Sequence, residues 1–250
     1  MRLSYYGLSL VLLFTLLACS PAEEKSEMQQ AEEAYWQNPT PEAGQALITM
    51  YEGTLDTLND DEAALTLAQK AALQYYRIGV NEGLQANFIK ILNDYKALPS
   101  STAAAQGTMD SLLHGITDPE TQRLIPRVAR QYMQLTSSYA KSRPDAPESP
   151  ELLYKSGEIA RSIGAYQDAL NIYSNIESYF PQYEKAPKAL FMQAFTYAED
   201  LNDEEQARML YERFLEKYPE DDFVKDAKIL LENLGKSDEE IFQQLQSNSQ

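Results

Sequence analysis

The stretch from Ser149 to Pro219 says nearly the same thing twice, and this echo constrains the chain more than any local propensity. SPELLYKSGEIARSIGAYQDALNIYSNIESYFP is followed closely by APKALFMQAFTYAEDLNDEEQARMLYERFLEKYP. Ala169 answers Ala207, Tyr173 answers Tyr211, Ile176 answers Phe214 and Pro181 answers Pro219, each pair 38 residues apart (207 − 169; 219 − 181). A period of roughly 20–50 residues marks a stacked-repeat architecture, because one such unit cannot bury its apolar face without neighbours. It also favours binding over catalysis.

Each unit holds two helical patterns joined by a turn. In the first, Leu153, Gly157 and Ala160 recur at helical spacing, and Gly164 breaks the pattern. Ala169, Ile172, Tyr173 and Ile176 then fall on one stripe of a second helix. Small residues at Gly157 and Ala169 allow the helices to approach, and Tyr173 fills the gap one turn on. Pro181 has no amide to continue a helix and marks the stop. The second unit keeps this order: Ala194 stands for Gly157, Ala207 for Ala169, and Asn202-Asp203 for Gly164-Ala165. One extra residue is expected in its turn.

This order resembles the tetratricopeptide repeat family. Gly157, Gly164, Tyr166, Ala169, Tyr173 and Pro181 match its motif, as do Ala194, Ala207, Tyr211, Phe214 and Pro219, although the second unit lacks the turn glycine. The resemblance covers about 150–235. It implies an all-α solenoid of antiparallel helix pairs wound into a right-handed superhelix, with the matched residues serving as packing. It also implies a groove lined by the first helix of each pair. Here that face would carry Glu151, Tyr154, Glu158 and Arg161, then Lys188, Phe191, Phe195 and Glu199. Tyr154 and Phe191 have the character of interface anchors, and Arg161 is suited to hold a partner's carboxylate.

The flanks are helical too. FVKDAKILLENLG reads as a helix capping the stack, stopped by Gly235, and Ser237 with the acids after it starts a short final helix over 236–250. Pro144 precedes Pro181 by 37 residues (181 − 144), which predicts a degenerate repeat just before the clear ones. Within 41–145, periodic stretches at 43–58, 62–78 and 84–97 are either worn repeats or an unrelated helical cap. Strand patterns are nearly absent.

The N-terminus is of another kind. An apolar run over 8–17, too short for a bilayer span of about 20 residues, fits the core of a signal peptide over 1–18. Cys19 is the only cysteine, so no intramolecular disulfide forms. Leu16-Leu17-Ala18-Cys19 resembles the lipobox of bacterial lipoproteins, which implies acylation at Cys19; the alternative is an ordinary cleaved leader with an incidental cysteine. Ser20 after the cysteine implies, by the same resemblance, the outer membrane facing the periplasm. Residues 19–40 read as an acidic tether with a short helix around Glu27–Trp36, and Trp36 would dock it or meet a partner.

Nothing points to catalysis, a metal or a cofactor. His114 is the only histidine, with Asp110 four residues before it, and no nucleophile elbow or phosphate-binding glycine loop accompanies it. Carboxylate pairs such as Asp60-Asp61 fall at helix starts, where they complement exposed amides. A net charge of −17, from 38 acidic against 21 basic residues, repels nucleic acid. The expectation is a membrane-anchored cell-envelope scaffold binding another envelope protein. It resembles, at repeat level, lipoproteins of outer-membrane assembly and Tol-Pal-associated coordinators. The alternative is a glycan- or small-ligand-binding envelope lipoprotein, kept open by 17 tyrosines and opposed by a single tryptophan.

Overall fold

The computed structural model describes residues 25–237, 239–240 and 242–243. Among them the chain is all helix, with one isolated bridge between Thr117 and Leu124. The order is α1 (Glu27–Gln37), α2 (Pro41–Leu55), α3 (Asp61–Ile78), α4 (Asn81–Asn93), α5 (Ser100–His114) and α6 (Pro126–Ser142). Then follow α7 (Ser149–Ser162), α8 (Tyr166–Tyr179), α9 (Ala186–Phe195), a π-helical turn at Thr196–Asp200, α10 (Glu204–Lys217) and α11 (Val224–Asn233). Consecutive helices pack on one another, as the expected solenoid of helix pairs requires.

Local chemistry sets the ends. Ser26 and Gln29 cap α1 reciprocally, and Thr40, Asp60 and Asp203 accept hydrogen bonds from first-turn amides of α2, α3 and α10. The glycine at Gly164 is required by its turn: its φ is +73° and the space around it is empty. In the second unit Asn202, 38 residues on, takes the same left-handed conformation at φ +53°. Asparagine is among the few residues that tolerate it.

The extra residue of the second unit is not in this turn, contrary to the sequence expectation. The step from the turn residue to the following helix alanine is five in both units (169 − 164; 207 − 202). The step from the small residue of the first helix to the turn grows from seven to eight (164 − 157; 202 − 194). The insertion is absorbed inside the helix as the π turn, closed by Leu201 N–H donating to Thr196 O at 3.1 Å, an i→i+5 bond.

The matched residues pack as expected. Ala169, Tyr173, Ala194, Ala207, Tyr211 and Phe214 are fully buried. A Cβ on Gly157 would lie 2.4 Å from the Tyr173 ring. Tyr166 opens α8 half-buried, while Pro181 and Pro219 are exposed just after the second helices.

The worn unit is legible in the backbone. Arg143, Phe180 and Tyr218 end α6, α8 and α10 with nearly the same geometry, φ −127°, −130° and −130°, ψ 58°, 52° and 59°. Each precedes a proline, which excludes the α conformation. Three parallel sets of turn bonds then lead into α7, α9 and α11: Ser149 N–H to Ala146 O, Ala186 N–H to Tyr183 O, and Val224 N–H to Asp221 O. The period is therefore kept at 37 and 38 residues (180 − 143; 218 − 180). Side chains there are different: a buried Thr136–Ser156 hydroxyl pair at 2.7 Å joins α6 to α7.

Further upstream, α3 and α4 form a hairpin whose turn at Gly79 repeats the bonding at Gly164. Val80 N–H reaches Tyr75 O as Ala165 N–H reaches Ala160 O. The small-residue seat is reversed, since Gly83 of α4 faces the Tyr75 ring of α3. One continuous core runs from Tyr35 to Ala189, and a second cluster from Leu190 to Ala227 fills the last unit. Helix α11 covers that end, and Gly235 stops it at φ +80°. Ser237 and Glu240 then cap one another, Ser237 N–H donating to Glu240 Oε2 at 2.8 Å.

Residues 27–37 are more than a tether. Tyr35 is buried in the core, and Glu32 accepts from Tyr51 Oη at 2.9 Å and Lys70 Nζ at 2.7 Å. Trp36 is not the docking residue: it is 61 % exposed, under the Arg77 guanidinium at 4.8 Å from its ring centre. Its neighbour Tyr35, which the sequence reading did not single out, does that job.

Candidate functional site

The candidate site is the face shared by α7 and α9, the first helices of the two clear units. The glycine at 157 and alanines at 160 and 194 turn inward to meet α8 and α10. This leaves positions 151, 154, 158 and 161 of α7 in one row beside 188, 191, 195 and 199.

At one end Glu151 is fully engaged. Lys185 Nζ lies 2.7 Å from it, and Tyr183 Oη donates to it. These hydrogen bonds hold the Glu151 carboxyl below the usual range and push Lys185 up. Lys185 and Lys188 also lie 5.2 and 5.3 Å from the Tyr154 ring centre. Tyr154 itself is buried and packs against Tyr173, ring centres 5.9 Å apart. Its hydroxyl lies by Glu158 without the alignment of a hydrogen bond; burial first, and then the Glu158 charge, push its pKa up.

At the other end Arg161 meets Asp200. Nε and Nη2 lie 2.8 and 2.6 Å from Asp200 Oδ2, with both side chains about four-fifths buried, at 20 % and 18 % exposure. The guanidinium also covers the Phe195 ring at 5.0 Å. The π turn supplies this pairing, since Asp200 is its last residue. Beneath lie the hydroxyls of Tyr173 and Tyr211, fully buried and without a hydrogen-bond partner among the described residues. Burial raises the pKa of both, and Arg161 opposes it.

The sequence expectations for this face are thus corrected in part. Phe191 is buried among Tyr211, Phe214 and Phe223, with ring centres 5.7, 5.8 and 5.0 Å away. It and Tyr154 fill inter-repeat gaps and do not present rings as partner anchors. Arg161 already holds a carboxylate, that of Asp200, which the sequence reading had missed. An acid at the extra residue's end of helix α9 was the available signal. What the face does present is Glu158 and Glu199, both exposed, with Phe195 half-exposed and Lys188 half-buried between them. With Glu151 and Asp200 paired, the open charges are two acids against Lys188. The arrangement suits a partner segment bearing cations and an apolar contact for Phe195.

His114 turns back on its own helix. Its Nδ1 sits 2.7 Å from the main-chain oxygen of Asp110 and not from the carboxylate. Among the described residues no three of His, Cys, Asp and Glu come together as a metal site. No helix among them is long and apolar enough to cross a membrane. Cys19 lies outside the described residues.

Residues 188–221 match the tetratricopeptide repeat family model. The match spans α9, the π turn and α10, the unit that lacks the turn glycine, and ends at the third proline connection. No curated protein matches the chain. The repeat, the stack of helix pairs and the aligned first helices together are those of a scaffold that binds protein partners.

Proposed function

We propose that this protein is a lipid-anchored scaffold of the bacterial cell envelope that grips a protein partner on the α7–α9 face. The observation that carries the reading is the division of that face. Its repeat residues are buried in packing, while Glu158 and Glu199 stay exposed, and Phe195, stacked on Phe191 and covered in part by Arg161, keeps a half-exposed edge between them. The partner segment is basic where it meets Glu158 and Glu199.

The anchor reading rests on the sequence around Cys19. Lipid there would hold the body close, since six residues from Cys19 to Lys25 reach at most about 20 Å. Several acyl chains make such an anchor stable, as one chain alone is marginal. Outer-membrane placement facing the periplasm, and a role beside outer-membrane assembly or Tol-Pal proteins, follow only from the resemblance of lipobox and repeats.

Capture from detergent-solubilised membranes tests the face. Wild type should retain a specific partner that Glu158→Lys/Glu199→Lys loses with its helical spectrum intact. Retention of every partner by the double variant would place the site elsewhere. Fatty-acid labelling tests the anchor separately, and equal labelling of wild type and Cys19→Ser would reject it.

A further inference from the structure

A second surface has no part in this reading. Helices α6 and α8 both pack on α7 and barely touch each other, leaving an open cleft between them. One end is a cavity of about 390 Å³ whose lining includes Gln85, Arg130, Gln134, Asn171 and Asn175. It continues into one of about 540 Å³ bounded by Ala140, Lys141, Leu153, Tyr179 and Phe180.

The repeat period explains why this gap is open. Between α8 and α10 the equivalent gap is tied by Glu177, with Arg213 Nη2 at 2.5 Å and Lys217 Nζ at 3.0 Å. One unit earlier, Glu177 corresponds to Ala140 (177 − 37), Arg213 to Asn175 and Lys217 to Tyr179 (213 − 38; 217 − 38). The ion pairs are missing because all three partners are replaced. Tyr179 is left 72 % exposed.

We propose that the α6–α8 cleft is a second recognition site, which takes an extended acidic peptide with an apolar residue at its Tyr179 end. Asn171 and Asn175 are one helical turn apart, about 6 Å along α8. This is close to the roughly 6.6 Å between alternate residues of an extended chain. Each carboxamide can donate to one main-chain carbonyl and accept from one amide. Neither is hydrogen-bonded to another group among the described residues. Opposite them, Gln134 Oε1 accepts from Asn81 at 3.1 Å and Gln85 at 2.6 Å, which leaves its amide nitrogen for the ligand.

Charge selects the peptide. Arg130 and Lys141 stand at the two ends of the α6 wall, about 16 Å apart, the length of about five extended residues. Neither is ion-paired among the described residues, in a chain whose net charge is −17. Asp168, the one acid of the lining, lies in the first turn of α8, facing that helix's free amides. The apolar end, Ala140, Leu153 and Phe180 under Tyr179, is a pocket for a side chain rather than a row of flat rings for sugars.

The test uses full-length protein in detergent and fluorescein-labelled nonapeptide pools. Each has proline at every third position to keep it extended and leucine near one end, with Glu/Asp in one pool and Lys/Arg in the other. Fluorescence anisotropy at low salt should show the acidic pool bound and the basic pool not. Asn171→Ala/Asn175→Ala should weaken binding at least about tenfold, and Arg130→Glu/Lys141→Glu should reverse the pool preference. These residues are exposed, so thermal melts should stay near wild type. Glu158→Lys/Glu199→Lys should leave the acidic pool bound, which separates this cleft from the α7–α9 face. The proposal is overturned if wild type binds neither pool, or if both cleft variants bind as wild type does. It is equally overturned if an oligogalacturonate binds in the cleft while the peptides do not.

Discussion

The contact of Gly157 with the Tyr173 ring gives a prediction whose sign can be worked from the structure. An added Cβ at 157 would stand 2.4, 2.7 and 2.9 Å from three ring carbons of Tyr173. The ring is fully buried between α7 and α8 and cannot swing aside. Overpacking of this kind costs about 1–3 kcal/mol. With three contacts under 3.0 Å the cost falls in the upper part of that range, about 2–3 kcal/mol; alanine recovers about 1 kcal/mol of helix propensity over glycine, so Gly157→Ala should lose about 1–2 kcal/mol net. For a domain of this size that is a fall in melting temperature of roughly 2–8 °C. Gly53, inside α2, has nothing within 4 Å of its added Cβ. Gly53→Ala should therefore gain about 0.5–1 kcal/mol. Opposite shifts in a far-UV circular dichroism melt would separate the two sites. In a Tyr173→Leu background the Gly157→Ala penalty should vanish, a coupling on the order of 1–2 kcal/mol. If Gly157→Ala stabilises as Gly53→Ala does, close helix approach does not explain the small residue of this repeat.

Three more outcomes follow. Gly164→Ala should cost about 1–2 kcal/mol, because φ +73° strains a residue with a Cβ, while Asn202→Gly should be neutral or slightly stabilising; denaturant melts decide both. Asp200→Ala should cost about 1–2 kcal/mol, between the small value of surface pairs and the larger one of buried pairs, since it strands the Arg161 guanidinium. A wild-type melting midpoint would show that the bridge contributes nothing. Acid should undock α1. Burial raises the Glu32 pKa, but hydrogen bonds from Lys70 and Tyr51 outweigh it and hold the group below its ordinary 4.5. A depressed folded pKa means stability that is complete above that value and lost as pH falls through the lower one. Trp36 emission should change over that acid range in wild type and not in Glu32→Gln, and matching curves would dismiss the link.

Much of the fold was legible because packing residues repeat. Ala169 and Ala207, Tyr173 and Tyr211, and the two prolines occupy equivalent places, so a sequence period reported a structural one. The worn unit was visible only through Pro144. Its helix α6 packs by Tyr132, Thr136 and Tyr139, with Tyr132 where the later units have alanine, and only the backbone geometry at Arg143 keeps the period. The reversed seat of Gly83 against Tyr75 hid the α3–α4 hairpin for the same reason. Sequence reading misassigned the α7–α9 face because a large ring on the first helix suits a partner's pocket and an inter-repeat gap alike. Phe191 fell to the second because Phe223 of the next connection closes over it. Arg161 was misread because its partner is 39 residues away, brought to it by an insertion that sequence alone placed elsewhere.

That insertion makes the two clear units unequal in a way that bears on recognition. Stacked units of equal length would present the same side chain to a ligand at a constant step. The π turn rotates the end of the second unit's first helix, so Glu199 and Asp200 leave the register set by Glu158 and Arg161. One of the two acids turns back to neutralise Arg161 and the other stays in solvent. A partner segment that repeats its own residues at an even spacing would then satisfy only one unit. If the α7–α9 face grips a basic segment as proposed, the unequal units favour one whose cations are unevenly spaced. Deleting Ala198, which restores the step of seven between Ala194 and the turn, should relax that preference, and a partner that bound the deleted form unchanged would show that the insertion has no part in recognition.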